Sequence, residues 1–188
     1  MNWLHMRAKA TPKSPAIICA EGCYTYQELA AHVNRAAHLL AEDGITSGQH
    51  VAVILPTCAE YIVIIHALSQ VGAVLVPLNL RLDIKLLRDQ LAQANCTHIV
   101  SSPKSNSVAK QLAMDFQSTS IDDLVDLRTP ATPSALSPDR QWSLMASVEN
   151  GSIHSIIFTS GTTGHPRGVQ LTYTNHLASA TASAYRLG

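Results

Sequence analysis

Two short apolar runs, each stopped by a proline, do most to limit the folds open to this chain. Residues 51–55 (VAVIL) end at Pro56, and residues 73–76 (AVLV) end at Pro77. Bounded in this way, both runs read as buried strands. Residues 58–71 between them read as a helix that is apolar nearly all round, closed by Gly72. A helix of that kind has to lie between two layers.

The same alternation extends to both sides. Residues 16–20 (AIICA) read as a strand followed by a turn at Glu21-Gly22. Thr25 is placed to cap a helix running to Glu42, with Glu28 completing a capping box and Gly44 as the stop. Leu29, Val33, Ala36, Ala37 and Leu40 fall at helical spacing and form one stripe. Asp83 can cap a helix to about Asn95 with Leu86, Leu87, Leu91 and Ala94 inside, and residues 97–101 (THIVS) return as a strand. Residues 104–116 read as a weaker amphipathic helix. Residues 127–140 (LRTPATPSALSPDR), rich in Pro, Ser and Thr, read as a surface connection. Two closing strands, 153–159 and 168–172, lead to a last helix capped by Thr174 or Asn175 and reaching Leu187. The expected class is α/β, with a mostly parallel sheet flanked by helices.

Composition narrows the function classes. At 188 residues with 46% hydrophobic and 14% charged residues, the chain can build an ordinary core. Thirteen basic residues balance thirteen acidic ones, so no overall field favours nucleic acid or an anionic membrane. The N-terminal MNWLHMRAKATPKSP lacks a signal-peptide core, and the apolar run 61–68 carries His66 and is too short to cross a bilayer. The expectation is a soluble, cytoplasmic protein. Cys19, Cys23, Cys58 and Cys96 do not stand at zinc-ligand spacing, and the nine histidines form no HxH or HxxxH cluster. No metal site is expected, and the ligand must be recognised locally.

Residues 159–168, TSGTTGHPRG, are the segment that carries chemistry. Gly161, Gly164 and Gly168 let the backbone approach a ligand, and consecutive N–H groups in such a turn can form an anion-binding nest. Thr159, Ser160, Thr162 and Thr163 add hydroxyl groups, and Arg167 adds a cation with a planar fork of donors. There is no GxxxxGK[ST] pattern, and the residues that follow read as a strand, so no helix dipole assists. A Gly/Thr-rich hairpin turn without a ligand is the alternative on these residues alone.

The segment FTSGTTGHPRGV resembles the phosphate loop of adenylate-forming (AMP-binding) enzymes, the family of acyl-CoA synthetases, luciferases and peptide-synthetase adenylation domains. Residues 24–29 (YTYQEL) and 68–79 (LSQVGAVLVPLN) are similar to further segments of that family, in the same order. Finer details resemble the 2-succinylbenzoate–CoA ligases of menaquinone biosynthesis: residues 2–4 with Arg7-Ala8, 78–82, 141–144 and 172–176. The resemblance implies that residues 1–188 are the N-terminal portion of the large adenylation domain, without the C-terminal lid domain and its catalytic lysine.

It also implies an ATP-dependent acid–CoA ligase that uses a small-molecule carboxylate, ATP and coenzyme A. Thr159, Ser160, Gly161, Thr162, Thr163, Gly164 and Arg167 would bind phosphate. No catalytic residue is carried over, and the Mg2+ ligand would lie outside the chain. On this reading the isolated chain is an incomplete, inactive fragment. Two alternatives stand beside it: a fatty or aromatic acyl-CoA ligase or other adenylation domain, and a non-catalytic nucleotide-binding remnant. The family's loop usually carries lysine where this chain has Arg167, which keeps the charge but changes reach and donor geometry.

Overall fold

The computed structural model describes residues 3–102, 107–112, 114–129, 151–159 and 166–187. In chain order the elements are α1 (Trp3–Ala10), β1 (Pro15–Cys19), β2 (Gly22–Thr25), α2 (Tyr26–Glu42), β3 (His50–Ile54), α3 (Ala59–Val71) and β4 (Val74–Pro77). They continue as α4 (Ile84–Gln93), β5 (His98–Ser101), α5 (Ser107–Leu112), β6 (Gln117–Ser120), α6 (Ile121–Leu124), β7 (Ile153–Thr159), β8 (Arg167–Thr172) and α7 (Tyr173–Leu187).

Local chemistry sets the helix ends. The Thr25 hydroxyl accepts from the Glu28 N–H at 3.3 Å, and the Glu28 carboxylate accepts from the Thr25 N–H at 2.8 Å. Each cap of this kind stabilises a helix by about 1 kcal/mol. Asp83 accepts from the N–H groups of both Lys85 and Leu86 at the start of α4. Gly44 lies just past α2 with φ +86°, where the Ile45 N–H reaches back to the Leu40 carbonyl. Asn95 does the same work after α4 at φ +49°, with the Cys96 N–H on the Leu91 carbonyl.

Six strands form one sheet in the order β6-β5-β3-β4-β7-β8, and β1-β2 form a separate antiparallel pair. The pairings β5-β6, β3-β5, β3-β4 and β4-β7 are parallel, and β7-β8 is an antiparallel hairpin. Alternation along the strands divides the core by face. Val51, Val53, Leu75 and Val100 pack with α2 and α3, whereas Ala52, Ile54, Val74, Val76 and Ile99 pack with α4 and α5. The apolar all-round α3 is explained by this arrangement, because it lies between α2 and the sheet. Buried side chains of the Leu40 or Ile64 type each contribute roughly 1.5–3 kcal/mol.

The structure differs from the expectation at several places. The last helix is capped by Thr172, not by Thr174 or Asn175. Asn175 is the third residue of the helix, its N–H donating to the Thr172 hydroxyl at 3.2 Å and its Oδ1 accepting from the Thr172 N–H at 2.9 Å. The helix expected over 104–116 is described only at Ser107–Leu112, and residues 103–106 and 113 lie outside the described residues. Strands β2 and β6 and helices α1 and α6 were not expected. Of the connection expected over 127–140, only residues 127–129 are described. Leu127 packs partly buried against the core, and the remainder lies outside the described residues. Among the described residues no helix is long and apolar enough to cross a membrane.

Candidate phosphate-binding site

Parallel pairing of β4 with β7, with Leu75 opposite Ser155, brings the carboxyl ends of these strands together on one side of the sheet. Ligands of open α/β sheets bind outside the carboxyl ends of strands. Thr159 is the last residue of β7 and Arg167 the first of β8, and they face each other as the final pair of the hairpin ladder. The Thr159 hydroxyl reaches the Arg167 carbonyl at 3.5 Å, a long contact. Ser160, Gly161, Thr162, Thr163 and Gly164, the other expected phosphate-binding residues, lie outside the described residues, as does His165. The structure therefore places the two roots of the expected loop side by side.

Gly168 is required for space. A Cβ there would stand 2.9 Å from Ile156 Cγ2 and 3.4 Å from the Phe158 ring. Its backbone is not in the left-handed region that Gly22, Gly44, Gly48 and Gly72 occupy. The missing side chain lets β8 close over β7 and seats Phe158 beside the loop roots.

A cleft of about 210 Å³ opens here, lined by Pro77, Asn79, Leu82, Gln90, Phe158, Thr159 and Pro166. A second groove of about 310 Å³, which Phe158 also lines, is bounded by Gln93, Ala94, Ile156, Arg167, Gly168 and Gln170. Among the described residues, neither is lined by a carboxylate. Arg167 is exposed and, among the described residues, makes no ion pair, so its charge remains available to an anion. Asn79 Oδ1 accepts from the Arg81 N–H at 3.0 Å. The described polar lining of the cleft is thus made of neutral groups.

Sequence reasoning did not single out Asn79, Phe158 or Gln90. Gln90 carried a readable signal: it is a polar residue on the stripe of α4 that also carries Leu87 and Leu91, and it is only 5% exposed. Asn79 and Phe158 lie in segments read for kinship or as strand, and nothing in their spacing marks a lining role. Among the described residues no group of three or more His, Cys, Asp or Glu could hold a metal ion.

Comparison with known proteins agrees with this architecture. Residues 4–187 match the AMP-binding enzyme family. The chain is 37% identical over 188 residues to a 2-succinylbenzoate–CoA ligase of Bacillus cereus, covering all of this chain and 36% of that protein. It is 34% identical over 190 residues to the ligase of the same name from Oceanobacillus iheyensis, covering 37% of it. The chain therefore spans little more than a third of the length of these relatives.

Among solved structures, o-succinylbenzoate CoA synthetase from Bacillus subtilis in complex with the acyl-adenylate intermediate OSB-AMP superposes with a TM-score of 0.83 at 30% identity. That match covers all of this chain and 46% of the other. The same enzyme in complex with ATP and magnesium ion gives 0.82 at 29% identity, covering 47% of that chain. With the sheet order, the paired loop roots and the match along almost its whole length, the chain belongs to the AMP-binding enzyme family.

Proposed function

We propose that this chain is the phosphate-binding portion of an ATP-dependent acid–CoA ligase whose carboxylate substrate is 2-succinylbenzoate. The observation that carries the reading is the pairing of Thr159 with Arg167 at the carboxyl end of β7, beside a cleft that no described carboxylate lines. Similarity to ligases of that name, and to a synthetase solved with an acyl-adenylate and with ATP, supports the substrate assignment.

In such a reaction a carboxylate oxygen attacks the α-phosphorus of ATP, forming an acyl-adenylate and releasing pyrophosphate. The thiol of coenzyme A then attacks the acyl carbon and AMP leaves. The residues proposed here act on the leaving pyrophosphate. Backbone N–H groups of residues 160–164, the hydroxyl groups of Thr159, Ser160, Thr162 and Thr163, and the Arg167 guanidinium hold its oxygens and stabilise the charge that develops on them. None of these residues supplies a nucleophile or a general base. The described residues offer no ligand cluster for the magnesium ion that accompanies ATP. On this reading its protein ligands lie outside them. The supply of ATP and coenzyme A is cytoplasmic, which is where this reading places the protein.

The test is a chimaera in which residues 1–188 replace the matching segment of the Bacillus cereus ligase, assayed for pyrophosphate release with ATP and a panel of acids. Release dependent on 2-succinylbenzoate, with benzoate and fatty acids inactive, is the expected result. A folded chimaera that adenylates a different acid, or none while the parent remains active, would sink the assignment.

A further inference from the structure

Among the described residues, helix α7 is fastened to the rest of the chain by its first turn. Tyr173 is buried, His176 is half-buried, and residues 177–186 are exposed. The Tyr173 hydroxyl donates to the Ser69 carbonyl of α3 at 3.2 Å, and its ring lies 6.3 Å from that of Trp3 on α1. The Tyr173 N–H donates to the Ser152 carbonyl at 3.2 Å, and His176 Nε2 shares a hydrogen bond of 3.1 Å with Ser155 Oγ on β7. A helix of 15 residues is marginal by itself in water, so these contacts decide whether α7 is formed.

His154 sits within this attachment and is only 8% exposed. Its ring stands edge-on to Tyr173 and packs against His176, and Nδ1 is buried with no partner among the described residues. A neutral ring leaves one acceptor unfilled there. A protonated ring would leave a charged donor unfilled, which costs far more. The groups that face it deepen that cost. His176 from α7 and His66 from α3 both oppose a positive charge, and Tyr173 from α7 offers a neutral phenol. Release of α7 would take Tyr173 and His176 away from the ring and open Nδ1 to water. The released form therefore takes up a proton more readily than the docked form, and acid shifts the balance towards it.

We propose that the His154 ring, packed against Tyr173 and His176, is a proton-operated latch that holds α7 docked at neutral pH and releases it in acid. Burial and the two histidines push His154 down to about 4 from 6.5. Above pH 6.5 the ring is neutral in both forms and docking is at full strength. Docking weakens as pH falls from 6.5 towards 4, because only the released form is then protonated.

Amide exchange, corrected for the intrinsic effect of pH, is followed by mass spectrometry in peptides of residues 173–187 and 26–42. The 188-residue chain and its H154F variant are compared at pH 7.5 and 5.0. Protection of α7 in the native chain is expected to lie below that of α2 at both pH values. It should fall by at least about fivefold at pH 5.0, the ceiling being roughly thirtyfold for a ring fully freed on release. In H154F, which has no proton to take up at this position, α7 protection should change by less than about twofold. Equal protection of α7 and α2 at both pH values would show that α7 leaves only with global unfolding and would overturn the proposal. A smaller fall in the native chain, or the same fall in H154F, would overturn it too. Histidine-ring NMR of the native chain decides the matter even where H154F does not fold. His154 and the α7 amides should change at the same pH, and titration of His154 without any change in α7 would overturn the latch.

Discussion

His154, the second residue of β7, shows how one side chain can make stability depend on pH. Its ring stands edge-on to Tyr173 at 4.9 Å and against His176 at 4.3 Å, and its Nδ1 is buried without a partner among the described residues. Burial, reinforced by the nearby His176 and His66, pushes its pKa down to about 4 from 6.5. Burial also lowers His66, on α3. The sign follows from linkage: above pH 6.5 the ring is neutral in both folded and unfolded chains, and its contribution is constant. As pH falls from 6.5 towards 4 the unfolded chain takes up the proton first, and stability is lost across that window. The loss is on the order of 2–3 kcal/mol. Urea unfolding at pH 7.5, 5.5 and 4.5 checks it: the slope should shrink in H154F. An unchanged slope would place the acid sensitivity elsewhere.

At the scale of elements, the clearest parts of the sequence were those whose signals are local. The Thr25–Glu28 box, the Asp83 cap and the glycine stops at 44 and 72 involve residues within a few positions of one another; α2 and α3 begin and end within a residue of where those signals put them, and α4 begins where its cap does but ends at Gln93, short of the expected Asn95. The last helix was found but capped wrongly, because Thr172, Thr174 and Asn175 all carry capping side chains. Only the geometry shows that Thr172 and Asn175 pair. Strand β6 (QSTS) was invisible for a different reason: an exposed edge strand has no apolar run, and its order comes from parallel pairing with β5.

The β7-β8 hairpin was legible as two strands, but the reason for Gly168 was not. Its role depends on Ile156 and Phe158 on the facing strand. G168A should therefore destabilise the chain by about 1–3 kcal/mol through overpacking. Denaturant unfolding measures this, and a loss well under 0.5 kcal/mol would show that the neighbours give way freely.

For the molecule as a whole, periodicity and proline stops were enough to indicate a parallel α/β sheet, because a doubly covered sheet imposes its pattern on every central strand. The site was half legible. The proposed loop is read from its glycines, hydroxyls and Arg167, which are contiguous in the sequence, and the structure describes only its two roots, Thr159 and Arg167. The cleft beside it was not legible, because Asn79, Gln90 and Thr159 are brought together only by the pairing of β4 with β7 and the packing of α4 beneath them. The cleft is thus a product of topology beside a local motif.

The central claim, that residues 159–168 form an anion site using Arg167, is tested most directly by equilibrium titration of the 188-residue chain with ATP, beside R167A and R167K. The expected result is saturable binding by the native chain, a loss of about tenfold or more in R167A, and partial retention in R167K. Equal affinity in the native chain and R167A, or no saturable binding by a folded native chain, would contradict it.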